Sequence, residues 1–141
     1  MAYQAKTVQH DGSVEEFLAS VDNKGRVEDA RLVMEIMERV TGLPPKMWGP
    51  SLIGFDSYDY VYDTGHSGTS FITGVGARKA NLVVYVMPGF AKLEAELAAL
   101  GKHKLGKCCL YLGRLKGLNL DALERIIRFG VEDMRARYHG K

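Results

Sequence analysis

Cysteine is scarce in this sequence of 141 residues, which contains only Cys108 and Cys109. Neighbouring residues of a strand point to opposite faces, so the two thiols are poorly placed to bridge each other. The Cys-x-x-Cys spacing of redox and zinc motifs is missing, and no two histidines lie at a zinc-binding spacing. We therefore expect both cysteines to stay reduced.

Long hydrophobic runs are missing as well. No apolar stretch approaches the ~20 residues that cross a bilayer, and the N-terminus has no apolar segment typical of a signal peptide. The sequence therefore predicts a cytoplasmic protein without a membrane anchor. Because 141 residues is the usual size of one domain, we expect a single domain over residues 1–141.

Charge is distributed unevenly along the chain. Residues 1–77 contain 6 basic and 11 acidic side chains, whereas residues 78–116 contain 8 basic and 2 acidic ones. The second segment is therefore expected to present a positive surface to an anion. The alternative is a solvated face whose lysines and arginines pair with the acidic first half of the chain. A formal net charge of only +2 and the lack of an RNA-binding motif do not favour nucleic acid.

Hydrophobic periodicity predicts the secondary structure. Helical spacing is found over 13–21, 26–41, 90–100 and 120–138, and strand patterns over 51–55, 58–62, 69–75, 82–87 and 108–112. Ser13 and Asn119 are typical helix N-caps, and short connections between the strands favour an antiparallel meander. The expected fold is a compact two-layer α+β domain, with a mainly antiparallel sheet of about five strands and flanking helices.

One segment comes close to a phosphate-binding loop. Residues 101–108 read GKHKLGKC, whereas the phosphate loop G-x-x-x-x-G-K-[ST] ends in Ser or Thr. A true phosphate loop also follows a strand and enters a helix, and the predicted order here is the reverse. We therefore do not expect a nucleoside-triphosphate site. The loop still brings three lysines and a histidine together, which predicts a simpler anion site.

The candidate ligand site combines basic and aromatic side chains. We expect aromatic walls and a set of cations that attract a small anionic ligand or an acidic partner surface. The aromatic candidates are Trp48, Tyr58 and Tyr85, and the cationic ones are Arg78, Lys79, Lys102, Lys104 and Lys107. Since no acid–base or nucleophile constellation accompanies them, the sequence favours a non-catalytic binding module.

Two alternatives use other residues. Glu35 and Glu38 lie close together on a predicted helix and are the candidate metal ligands, although two carboxylates make a weak site. An enzyme would have to use the thiol of Cys108 or Cys109 with His103 as its base. No cofactor is predicted from the residues themselves.

Several segments resemble the YdhG-like family, a domain family of unknown function. These are MWGPSLIGF at 47–55 with YDYVY at 58–62, GARKANL at 76–82 and LGKHKLGKCCLY at 100–111. The resemblance covers roughly residues 6–134 and implies a compact α+β fold. Some relatives are described as frataxin-like intracellular iron chaperones that deliver iron to cluster or haem assembly. The resemblance thus implies iron as a possible cargo and an iron chaperone as the alternative function.

Overall fold

The computed structural model describes residues 9–10, 12–49, 51–61, 65 and 67–139. Within these ranges the order of elements is β1 (Gln9–His10), α1 (Val14–Ser20), α2 (Lys24–Thr41), β2 (Lys46–Trp48), β3 (Leu52–Val61), β4 (Ser67–Ala77), β5 (Leu82–Val86), α3 (Glu94–Leu100), β6 (Lys104–Leu105), β7 (Cys109–Leu112) and α4 (Leu120–Tyr138). Tyr62 of the strand predicted at 58–62, and Thr64 and His66 of the turn predicted at 64–68, lie outside the described residues, whereas Ser67 and Gly68 begin strand β4.

The strands form one sheet in the order β1-β2-β3-β4-β5-β7-β6, and every neighbouring pair is antiparallel. This confirms the predicted α+β fold. The prediction of about five strands was too low, because the described residues form seven. The additional strands β1, β2 and β6 are two or three residues long, so they are too short to show the alternation by which a strand is recognised.

The helix ends follow the capping residues. The Ser13 hydroxyl accepts a hydrogen bond from the Glu16 amide at 3.1 Å, and the Asn119 side chain accepts one from the Ala122 amide at 3.1 Å. Helix α2 ends at Gly42, whose φ of 74° is the left-handed conformation that favours glycine. Helix α3 begins at Glu94 instead of Phe90. None of the described helices is both long enough and apolar enough to cross a membrane.

The core lies between one face of the sheet and helices α2 and α4. Both helices contact β3, β4 and β5, and they also contact each other. Fully buried core side chains come from the helices and from the strands, among them Val33, Met37, Val84, Leu110 and Ile126. Each such side chain contributes about 1.5–3 kcal/mol when it leaves water.

The side-chain alternation of β3 reverses at Asp56. In a regular strand, residues 54, 56 and 58 would all lie on the same face. Here Gly54 faces away from the helices, whereas Asp56 and Tyr58 both face α4. Asp56 accepts a hydrogen bond from Arg135 Nε at 2.9 Å, and the Tyr58 ring lies 4.5 Å from the Tyr138 ring. Asp56 has a φ of 61°, which is uncommon for a residue with a side chain. The two strands predicted at 51–55 and 58–62 are therefore one strand with a change of face.

The face of the sheet that α2 and α4 leave uncovered has an aromatic layer of its own. Trp48 packs edge to face on Phe71 with ring centroids 5.6 Å apart, and Phe71 packs in the same way on Tyr85 at 5.4 Å. Gly54 and Gly74 lie beneath these rings. A Cβ atom on Gly54 would be 2.6 Å from Trp48 Cδ1, and one on Gly74 would be 2.7 Å from Phe71 Cε1. Glycine is therefore required at both positions, where the aromatic side chains approach the backbone of the sheet closely.

Candidate anion-binding cleft

A cleft of about 540 Å³ opens at one end of the sheet. It lies where the β4–β5 turn, the segment before β6 and the loop between β7 and α4 come together. The strand register explains this meeting, because Leu82 pairs with Leu112, and Tyr111 pairs with Lys104. The lining residues are Ala80, Asn81, Lys102, His103, Lys104, Tyr111, Leu112, Gly113, Arg114, Lys116, Gly117 and Leu118.

The lining is strongly basic. It contains three lysines, one arginine and one histidine, and no carboxylate is among the residues that line it. Lys102, Lys104 and Lys116 form no ion pair with any residue that the structure describes. The described part of the chain therefore supplies no carboxylate partner for these charges, and the lining gives the cleft a positive electrostatic character. Apolar atoms of Tyr111, Leu112 and Leu118 form part of the same wall.

His103 is held in one orientation at the cleft. Its Nδ1 lies 2.7 Å from the Gly101 carbonyl oxygen. A carbonyl can only accept, so Nδ1 carries the proton and donates this bond. Nε2 has no partner among the described residues. It is an acceptor when the ring is neutral and a donor when the ring is charged, so a protonated His103 could add a hydrogen bond to an anion.

The loop between β7 and α4 is anchored on the first turns of α2. Asp29 Oδ2 accepts hydrogen bonds from Arg114 Nε at 2.8 Å and from the Leu115 amide at 3.1 Å. Arg26 Nη1 donates to the Gly113 carbonyl oxygen at 3.3 Å. Both Arg26 and Asp29 are buried. The acidic first half of the chain therefore compensates one cation of the basic segment, Arg114, and leaves the three cleft lysines unpaired among the described residues.

The structure brings only part of the predicted ligand site together. Lys102 and Lys104 line the cleft. Arg78 and Lys79 are exposed in the adjoining β4–β5 turn, which is closed by a 3.0 Å hydrogen bond from the Arg78 amide to the Asn81 carbonyl. Lys107 lies in the β6–β7 turn, beside Gly89. The strands that flank this turn contribute Lys104 and Tyr111 to the cleft, but Lys107 is not among the lining residues.

The three aromatic candidates do not form walls of one site. Trp48 is 1% exposed in the aromatic layer, and Tyr58 packs against Tyr138 on the helix side of the sheet. Tyr85 lies on the other face, where its hydroxyl accepts a hydrogen bond from Arg78 Nη2 at 2.6 Å. Burial raises the pKa of Tyr85, although the Arg78 charge opposes this effect. Tyr85 thus fixes Arg78 near the cleft without lining it.

Sequence reasoning missed Tyr111, Arg114 and Lys116 as residues of this site. The segment Gly113-Arg114-Leu115-Lys116-Gly117 places two cations between two glycines immediately before the capped helix α4. That pattern was a usable signal of a basic loop with exposed backbone. Tyr111 lies in a strand, and the hydrophobic pattern of that strand is equally typical of a core residue. No local sequence signal therefore identified Tyr111 as part of the site.

The candidate metal ligands lie elsewhere. Glu35 and Glu38 are exposed on α2 and border a shallow depression together with Arg31, Met34 and Arg39. Arg31 pairs with Glu15 at 2.8 Å, and this contact lowers the pKa of Glu15. Within the described part of the chain, no group of three or more His, Cys, Asp or Glu side chains could hold a metal ion. Two guanidinium groups beside two carboxylates reduce the attraction for a cation.

The thiols and His103 do not form a catalytic pair in the described structure. Cys108 Sγ donates to the Met87 carbonyl at 3.6 Å, and burial raises its pKa, which disfavours the nucleophilic thiolate. A hydrogen bond with the Cys109 thiol raises the pKa of Tyr111. The Cys109 carbonyl accepts from the Gly106 amide at 2.8 Å. His103 lies three residues before Gly106, roughly 10 Å along the strand.

Comparisons with protein-family models, with curated proteins and with solved structures find no match to this chain. The resemblance to the YdhG-like family therefore stays a prediction that rests on the segments quoted above.

Proposed function

We propose that this protein is a non-catalytic binding module that takes a small anionic ligand in the basic cleft. The observation that supports this function is a cavity of about 540 Å³ whose lining includes four cationic side chains and no carboxylate. Sites for small molecules usually have volumes of about 300–1,000 Å³, with apolar walls and a few polar groups that fix orientation. The cleft agrees with this description in size, and its lining is more strongly basic than usual, as a site for an anion requires.

The exposed cations beside the cleft extend the positive surface. Arg78 and Lys79 occupy the adjoining turn and are both exposed, so an acidic partner protein is a second occupant consistent with the charge. A concave site favours the small ligand, because a protein surface would contact the turn more readily than the floor of the cleft. The separation of His103 from the two thiols supports a binding role over an enzymatic one.

Binding measurements on lysine variants test this function. We expect inorganic phosphate or ATP to raise the midpoint of thermal unfolding, since a ligand at ~100 times its dissociation constant adds about 2.7 kcal/mol. For a domain of this size that is a shift of several degrees. Replacing Lys102 and Lys104 together by Gln removes two cations of the lining and should abolish most of the shift. Lys107→Gln is the control, because that lysine lies in the β6–β7 turn and is not among the residues that line the cleft.

Two results would contradict the proposal. The first is a wild-type protein whose unfolding midpoint does not respond to either anion. The second is a Lys107→Gln variant that loses the response as completely as the variant with both cleft lysines replaced. The second result would mean that net charge, and not the cleft, causes the binding.

The iron-chaperone alternative has weaker support. It follows from the resemblance to the YdhG-like family, whereas the depression that contains Glu35 and Glu38 is flanked by Arg31 and Arg39. Anaerobic Fe²⁺ in the same unfolding experiment tests it directly. A shift with Fe²⁺ that disappears when both glutamates are replaced by Gln would favour iron over an anion.

A further inference from the structure

Arg26 is a buried arginine directly behind the cleft. It is 7% exposed, and it forms no ion pair with any residue in the described part of the chain. Its Nη1 donates one hydrogen bond, to the Gly113 carbonyl oxygen at 3.3 Å. Its Nε is buried and has no hydrogen-bond partner among the described residues. Arginine stays charged in folded proteins, so this site holds a positive charge that is poorly compensated.

The nearest carboxylate does not balance this charge. Asp29 lies one turn further along α2, but its Oδ2 already accepts hydrogen bonds from Arg114 and from the Leu115 amide. Asp29 is therefore engaged by Arg114, and no ion pair joins it to Arg26. Glu28 lies 3.9 Å from Arg114 Nη2, and its side chain is 76% exposed. Because water screens an exposed charge, Glu28 contributes little compensation behind the cleft.

Gly113 connects the buried charge to the cleft. Its carbonyl accepts from Arg26, while the residue itself lines the cavity. Apart from its two chain neighbours, no described residue has an atom within 4 Å of the position that a Cβ on Gly113 would occupy, so this side of the backbone faces the open cleft. A ligand in that space would be separated from the Arg26 guanidinium by little more than one peptide unit. Buried protein atoms screen the interaction less than bulk water does.

We propose that the cleft selects doubly charged phosphate groups, and that the charge of Arg26 supplies part of this selectivity. The inference rests on the proposed function of the cleft and names its ligand class: inorganic phosphate or a phosphate monoester. The Coulomb energy is proportional to the ligand charge, so a dianion gains twice as much from each cation as a monoanion does. Arg26 contacts the loop and not the ligand, so its charge acts on the ligand through the intervening backbone of the loop.

Calorimetric titration at about pH 8, where phosphate groups are mainly dianionic, tests this inference. The probes are inorganic phosphate, phenyl phosphate and acetate at constant ionic strength. Arg26→Met removes the charge and keeps much of the buried volume. We expect it to weaken phosphate binding by about ten-fold and acetate binding by about three-fold, because halving the ligand charge halves the energy. Arg125→Met, on the exposed side of α4 away from the cleft, should leave both affinities unchanged.

Stability without anions gives a second readout. Replacing a buried ion pair by apolar side chains of similar volume is often neutral or stabilising, and replacing Arg26 leaves no ion-pair partner behind among the described residues. We therefore expect the unfolding midpoint of Arg26→Met in anion-free buffer to equal or exceed that of the wild type. A residue with only a structural role would lower the midpoint and leave affinity unchanged. If Arg26→Met does not fold, Arg26→Gln decides, because it removes the charge and retains an N–H donor for Gly113.

The outcomes separate this inference from the function on which it rests. If the Arg26 variants lose phosphate and acetate affinity equally, or lose none, the proposed role of Arg26 is overturned. The proposed binding by Lys102 and Lys104 is not affected by that result. A wild-type protein that binds acetate as tightly as both phosphates would overturn the dianion selectivity. If none of the three probes binds, the proposed function fails as well. Tighter binding of phenyl phosphate than of inorganic phosphate would identify a monoester, and the reverse order would identify the free ion.

Discussion

Replacing Gly54 by alanine should destabilise the protein, because the aromatic layer leaves no room for a methyl group. The new Cβ would be 2.6 Å from Trp48 Cδ1 and 2.7 Å from Phe71 Cβ. Phe71 Cβ is fixed to strand β4 and cannot rotate away, and Trp48 is 1% exposed. Overpacking of this kind costs about 1–3 kcal/mol. Removing a glycine from the unfolded chain returns about 0.4–1 kcal/mol, so we expect a net loss of about 1–2 kcal/mol.

Chemical and thermal unfolding measure this loss. At about 4 °C per kcal/mol for a domain of this length, the midpoint should fall by about 4–8 °C. Gly113→Ala is the matched control, since its Cβ would meet no atom within 4 Å. The control should be as stable as the wild type or slightly more stable. If Gly54→Ala and Gly113→Ala proved equally stable, the rings would not be packed against the sheet as described, and the reasoning would be refuted.

Two further predictions concern ion pairs. Asp56→Asn should lower the free energy of unfolding by about 0.5–1 kcal/mol through loss of the ion pair with Arg135. Asp56→Ala should lower it by a further ~1–2 kcal/mol, because alanine tolerates the left-handed backbone conformation poorly. Denaturant titration should give this order of stability, and an alanine variant as stable as the asparagine variant would contradict it. Hydrogen bonds from Arg39 and Arg128 lower the pKa of Glu124 below its ordinary value of 4.5. A carboxyl group whose pKa is lower in the folded than in the unfolded protein stabilises the fold at pH values above its ordinary pKa. This contribution is lost as the pH falls through the pKa of the folded state. Glu124→Gln should thus be less stable than the wild type near neutral pH, and the difference should disappear in acid; a pH-independent difference would be evidence against this pair.

Local signals in the sequence predicted most of the helices. Ser13 and Asn119 cap α1 and α4, and Gly42 ends α2, because each supplies a backbone or side-chain property that the helix terminus needs irrespective of the rest of the fold. The strands were harder. Alternation cannot be followed through Asp56, where β3 changes face, and the partner that accompanies this change is Arg135 in α4, 79 residues away.

The cleft was predictable only in part, for the same reason. Lys102 and Lys104 lie within a few residues of each other, so the sequence brings them together without help from the fold. Arg114 joins them through strand pairing and through Asp29, a contact between residues 85 positions apart. The aromatic residues were misleading because Trp48 and Tyr58 have the same sequence pattern whether they form the wall of a site or a packed interior. Only the observed burial distinguishes these two roles.

The two glycines beneath the aromatic layer also limit which substitutions this sequence can accept during evolution. Gly54 and Gly74 share one space with the rings of Trp48 and Phe71, so the volume at any of these positions depends on the others. Because the Cβ of residue 71 lies in the same space, a larger residue at 54 can be accepted only if glycine replaces Phe71 and a smaller residue replaces Trp48. Descendants of this sequence should therefore keep Gly54, or show coupled exchanges at all three positions.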